Sequence, residues 1–239
     1  MCSSDLVVVT SGSSSNPTLS SSGSIGSLAS VYGSASGAST PLTLTGTNLA
    51  GNVTVSAPAG FEISQTAGGG SGYSATQILV PASGALSNVL YVRLAGTNPV
   101  GTYSGLVVFN TTNGAGLTAS IPNSTVAKKD ISITGLIALD KVYDATTLAA
   151  FSGTPVYAGL INGDSFTVSG NPSAAFGSAG VGSAKTVTVT GYNAPSGNYN
   201  LLPTSLTAAI TPKPVAITGV SGVDKTYDGT VTEIGRAHV

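Results

Sequence analysis

The sequence has no tryptophan, one cysteine (Cys2), one histidine (His238), and charged side chains at only 7% of its 239 positions. Ordinary soluble domains carry about 25%. From Val7 to Ala127 the only charges are Glu62 and Arg93, and from Val7 to Thr232 seven acidic residues balance seven basic ones. No field exists to steer nucleic acid or an anionic membrane. No apolar run approaches the ~18 residues that a membrane-spanning helix needs. Disorder normally combines low hydrophobicity with high net charge, whereas 41% of this chain is hydrophobic. What is left is a β-rich protein surfaced by Ser, Thr and Gly.

The rare reactive residues sit at the ends. Glu233-Ile234-Gly235-Arg236-Ala237-His238-Val239 is encoded by GAG ATC GGA AGA GCA CAC GTC, which resembles a sequencing-library adapter. Its reverse complement reads as Met1-Cys2-Ser3-Ser4-Asp5-Leu6. Residues 1–6 and 233–239 are therefore expected to be non-native and are set aside. The stretch between them, expected to be a fragment of a longer polypeptide, has no His and no Cys, which removes the usual general base and the His/Cys metal sites.

What is present is a repeat. Ile133-Thr134-Gly135 precedes Asp140-Lys141-Val142-Tyr143-Asp144-Ala145-Thr146, and Ile217-Thr218-Gly219 precedes Asp224-Lys225-Thr226-Tyr227-Asp228-Gly229-Thr230. The two tyrosines lie 84 residues apart, about one small β-domain, as in a tandem array.

Along the chain the hydrophobic period is two, the mark of half-buried strands. Strands are expected at Leu42/Leu44, at Val53/Val55, and over residues 76–80, 89–94, 102–110 and 117–121. A second group is expected over residues 131–134, 165–169, 185–191, 199–202 and 206–211. No window of ten residues shows a 3.6-residue period free of Gly or Pro, so almost no helix is expected. Residues 7–15 read as a Ser-rich linker, 16–127 and 128–213 as modules, and 214–232 as the truncated start of a third. Pro212-Lys213-Pro214 reads as a stiff hinge, since proline fixes φ and donates nothing to a ladder. Short strands at this spacing imply tandem immunoglobulin-like β-sandwiches, all-β. Gly101-Thr102-Tyr103 and Gly197-Asn198-Tyr199 each precede a late apolar strand, where a tyrosine corner would sit.

The Asp-Lys-x-Tyr-Asp-x-Thr copies resemble the YDG repeat domain of bacterial haemagglutinin- and adhesin-type surface proteins. Gly163-Asp164-Ser165, residues 185–191, Gly197-Asn198-Tyr199 and Ala209-Ile210-Thr211-Pro212-Lys213 extend the likeness from Lys128 to Lys213, and it reopens at Val215. Ala145 departs from the usual Gly, which puts a left-handed turn there in doubt. Residues 43–120 are similar to a bacterial immunoglobulin-like repeat of secreted proteins. The carriers are Leu44-Thr45-Gly46-Thr47-Asn48-Leu49, Ala57-Pro58-Ala59-Gly60-Phe61-Glu62-Ile63-Ser64, Val89-Leu90-Tyr91-Val92-Arg93-Leu94 and Gly101-Thr102-Tyr103-Ser104-Gly105. Both resemblances imply extracellular or bacterial cell-surface spacer or adhesive modules, and neither brings a catalytic residue.

Asp140, Asp144 and Asp164 are the densest carboxylates and so the candidate calcium ligands, since calcium wants six to eight oxygens. The competing reading makes them turn caps, with Lys141 and Lys225 balancing the aspartates on the surface; Asp224 and Asp228 are the repeat equivalents. Tyr143 and Tyr227 either offer an apolar plate to a glycan or, the favoured reading, plug the module's end with a backbone-bonded hydroxyl. Gly177 to Thr186 looks like a phosphate loop, but Ser183 and Ala184 separate Gly182 from Lys185, so a hairpin is expected. Asn52, Asn110 and Asn123 head glycosylation triplets that so Ser/Thr-rich a sequence produces by composition. The expected function is a non-catalytic spacer, without cofactor, whose partners are neighbouring modules. The alternatives are a glycan- or protein-binding module and an accessory segment of a secreted enzyme.

Overall fold

The computed structural model describes residues 16–222 apart from 69, 113–115 and 162, together with 224, 226, 227 and 229. The proposed adapter-derived ends and the linker at 7–15 lie outside these residues. The described chain is all-β, with no helix.

Its first nine strands are β1 (Thr18–Ser22), β2 (Ala29–Val31), β3 (Leu42–Thr47), β4 (Val53–Ser56), β5 (Phe61–Ser64), β6 (Thr76–Leu79), β7 (Leu86–Leu94), β8 (Gly101–Thr111) and β9 (Gly116–Ala127). They form two sheets, ordered β1-β3-β7-β5 and β2-β9-β8-β4-β6. The inward residues are those that the period of two picks out. Leu42, Leu44, Val53, Val55, Leu90, Val92 and Leu94 are buried in one core, with Val107 and Phe109 from β8. Glu62 and Arg93 lie opposite each other on β5 and β7, and their side chains pair at 2.9 Å.

Eight more strands follow: β10 (Lys129–Ala138), β11 (Lys141–Val142), β12 (Leu148–Ala149), β13 (Phe151–Ala158), β14 (Gly170–Phe176), β15 (Gly182–Tyr192), β16 (Tyr199–Leu201) and β17 (Thr204–Thr211). Their sheets run β13-β10-β16 and β11-β17-β15-β14-β12. A second core gathers Ile131, Ile133, Phe176, Val187, Val189, Tyr199 and Ile210. Both five-stranded sheets share one plan: the module's last long strand has a short edge strand running parallel to it, β2 beside β9 and β11 beside β17.

Three features depart from the sequence expectation. Residues 165–169 form no strand. Their alternation is genuine, but Ser169 gives its carbonyl to Asn193 N–H (2.9 Å), and Phe166 packs edge-on to Tyr199 with centroids 6.2 Å apart. The segment covers an end of the sandwich rather than extending a sheet. Conversely, β13 and β14 hid behind prolines. Pro155 is tolerated because β13 is an edge strand, and Pro172 falls inside the register shift between Gly170 and Ser173. Finally, the proline hinge read at Pro212-Lys213-Pro214 has no counterpart at the first junction, where Lys128 alone separates β9 from β10.

The glycine of Ile133-Thr134-Gly135 has a definite task. Gly135 (φ +81°) sits at the shift between Thr134 and Leu136, where a Cβ would lie 2.2 Å from the Thr154 carbonyl oxygen. Only glycine lets the two backbones come that close. Gly219, its repeat counterpart, also has positive φ.

Candidate functional site: the repeat motif and the module junction

The first copy of the motif is a clasp. Lys141 Nζ donates to the Asp144 carboxylate (2.8 Å), to the Thr146 carbonyl (2.8 Å) and hydroxyl (3.0 Å), and to the Leu148 carbonyl (2.8 Å). Asp144 Oδ1 in turn accepts from the Thr146 N–H and hydroxyl, both at 2.9 Å. Lys141 closes a turn whose backbone would otherwise lack partners. Its side chain is 17% exposed and that of Asp144 52%, so Lys141 balances Asp144 at the surface and at the same time ties the turn together. Asp144 feels the Lys141 bond first and the Thr146 bonds next, which together hold its carboxyl down at about 2.

The turn is left-handed at Ala145, with φ +63°. The doubt raised by the missing glycine is thereby corrected: the clasp fixes a conformation that alanine disfavours. Gly229, the counterpart in the second copy, has φ +72°.

The candidate calcium ligands do not converge. Asp140 Oδ1 accepts from Ala209 N–H (2.6 Å) on β17. Asp144 belongs to the clasp. Asp164 Oδ2 accepts from the Tyr199 hydroxyl and, at 3.4 Å, from the Tyr32 hydroxyl. Among the described residues no three His, Cys, Asp or Glu side chains group as a metal would require. Each carboxylate does local structural work instead. The favoured reading of Tyr143 as a plug is also overturned, since it is 39% exposed. Its N–H donates to the Thr211 carbonyl (2.9 Å), while no hydroxyl partner occurs among the described residues. In the second copy Asp224 and Tyr227 are exposed, and Lys225 and Asp228 lie outside the described residues.

The two tyrosine-corner candidates diverge. Tyr103 bonds back to the Pro99 carbonyl (2.9 Å) and lies against Gly60, where a Cβ would come within 2.5 Å of its ring. Tyr199 instead points its hydroxyl at the 161–164 loop, accepting from Ile161 N–H (3.2 Å) while donating to Asp164. Burial, and then the Asp164 bond, push it up to about 12.

That loop is where the first module meets the second. Tyr32, at the end of β2, stands edge-on to Tyr199, with centroids 5.4 Å apart. Asn198 Oδ1 accepts from Val100 N–H (3.0 Å). Gly33 lies so close to Ile161 that a Cβ would meet its Cγ2 at 2.4 Å. Beside these contacts opens a cleft of about 650 Å³, whose walls include Tyr32, Thr97, Lys129 and Ile161. Tyr32 belongs to none of the motifs that the sequence singles out. No local pattern marks it, since Val156-Tyr157 carries the same dipeptide and its tyrosine lies within the second core.

The Gly177–Thr186 stretch joins β14 to β15 as a hairpin, and Lys185 Nζ donates to the Ser178 hydroxyl (2.7 Å) rather than facing a ring of backbone N–H groups. No helix among the described residues is long and apolar enough to cross a membrane.

Residues 127–208 match the YDG domain family, so this part of the chain is a YDG domain. No curated protein matches the chain.

Proposed function

We propose that the YDG domain and the module before it are a non-catalytic spacer. They would belong to a large secreted or cell-surface bacterial protein of the adhesin type, in which a second YDG copy opens at Val215. The observation that carries this reading is the junction. Tyr32 of one module is seated on Tyr199 and Asp164 of the next, with Asn198 bonded to Val100 beside it. A linker of one residue plus a packed aromatic contact restricts bending, which a projecting stalk requires. The chain's few charges serve structure: Glu62 pairs with Arg93, and Lys141 with Asp144. Little remains for salt to screen.

Small-angle scattering from low to high salt tests the proposal. Nearly constant dimensions are expected, and marked collapse or interconverting bent forms would overturn it. A second reading, a glycan-binding module, draws on the junction cleft, where Tyr32 offers a ring and Lys129 a cation. A sugar-array hit abolished by Lys129→Ala would favour that reading over the spacer.

A further inference from the structure

We infer that Tyr143 is the docking residue by which the YDG domain seats the next YDG module, in a socket formed by that module's counterparts of Tyr199 and Asp164. The inference rests on the tandem-array reading and adds to it a surface, an occupant and a residue.

Tyr32 and Tyr143 hold the same place in the two modules. Val31 pairs in parallel with Ala127, the last residue of β9, and Val142 pairs in parallel with Thr211, the last residue of β17. The tyrosine that follows donates its N–H to the carbonyl of that last residue, Tyr32 to Ala127 and Tyr143 to Thr211, both at 2.9 Å. The residue paired one step earlier on the last strand is Val126 in one module and Ile210 in the other, and both are buried. Equal register on equal edge strands fixes the same pleat phase, so the two rings leave their sheets in equivalent directions.

The connections beyond agree. One residue, Lys128, separates Ala127 from Lys129, and one residue, Pro212, separates Thr211 from Lys213. Lys213 lies 84 residues after Lys129, the same period that relates the two motif copies. A module opening at Lys213 as this one opens at Lys129 would set its own 161–164 loop and Tyr199 counterpart against Tyr143. The chemistry fits both ways. The observed socket offers a buried ring and a carboxylate acceptor, and it takes a tyrosine by edge contact and hydroxyl. Tyr143 is 39% exposed, and no ring contact or hydroxyl partner for it occurs among the described residues. Asp144 stands in the place of Gly33 and carries a Cβ that the Gly33–Ile161 approach would not admit, so the next module's Ile161 counterpart must stand off it; its carboxylate is tied back to Lys141 and Thr146.

The test extends the chain through Lys213 with a second copy of residues 130–211 whose own counterpart of Tyr143 is replaced by Phe, and compares tetranitromethane nitration of Tyr143 in the extended and original chains by mass spectrometry. Tyr32 serves as the internal reference. Tyr143 is expected to react fast in the original chain and at least several-fold more slowly in the extended one, approaching Tyr32. Equal rates in both chains, with circular dichroism showing the second copy folded, would overturn the inference. If scattering then shows an extended particle, the spacer reading stands without it; if it shows freely swinging modules, both fall. Should the added copy not fold after Pro212, Pro212→Lys restores the Lys-Lys junction seen between the first two modules, and the same comparison decides.

Discussion

Tyr32 and Tyr199 meet edge to face at 5.4 Å and 89° across the boundary between two modules, and one carboxylate, Asp164, accepts from both hydroxyls. An aromatic pair of this geometry contributes about 0.5–1.5 kcal/mol beyond the area that it buries. Tyr32→Ala is therefore expected to cost about 1–3 kcal/mol once the lost burial is included. In calorimetry the two modules of the variant should unfold as separate events. Tyr32→Phe keeps the ring and should lose little. A coupled transition unchanged in Tyr32→Ala would show that the contact is incidental.

Ala145 holds a left-handed turn that costs a non-glycine residue roughly 1–2 kcal/mol, while glycine's extra freedom in the unfolded chain returns about 0.4–1 kcal/mol of that. Ala145→Gly should accordingly stabilise the YDG domain by about 0.5–1 kcal/mol, read as a higher urea midpoint at unchanged slope. A lower midpoint would refute the assignment of strain.

The three N–H groups of the Lys141 ammonium are shared among four acceptors. Lys141→Met preserves the stem but strands the Thr146 and Leu148 carbonyls and the Asp144 carboxylate. A fall of several degrees in the thermal midpoint is expected. Hydrogen exchange should speed up at residues 144–148 before it does elsewhere. The loss of a surface counter-charge that tied no backbone would, by contrast, cost almost nothing.

The same clasp has an acid limit. Asp144 is held at about 2 against an ordinary value of 3.8. Its contribution is complete above pH 4 and is lost as pH falls through about 2, because the unfolded chain takes up its proton first. Acid titration of Asp144→Asn beside the parent should show the parent's stability advantage vanish over that window. An advantage that persists below it would contradict the pairing.

At the alkaline end the sign reverses. Tyr199 is raised to about 12 from 10, so the neutral phenol is the form that the fold prefers. Its contribution is complete below pH 10 and declines as pH rises through about 12. Burial also raises Tyr73, so ultraviolet titration at tyrosinate wavelengths should find late-ionising groups, and Tyr199→Phe should remove the one that ionises at about 12.

The sequence by itself determined the class of fold, because a period of two with no helical window leaves sheets as the only way to bury Leu42, Leu44, Val53 and Val55. It also located the repeat, since the 84-residue spacing needs no coordinates. It could not say what Lys141, Tyr143 and Asp164 do. Their neighbours are set by which strands lie side by side, and local pattern carries no record of a parallel edge strand such as β2 or β11. Nor could it foresee residues 165–169 leaving the sheet, or Pro155 and Pro172 sitting within strands, since an edge position or a bulge exists only once the ladder has formed. The seat of Tyr32 on Tyr199 was decided by tertiary structure alone: its two halves lie far apart in the chain, and nothing but the packing of one module on the next brings them together.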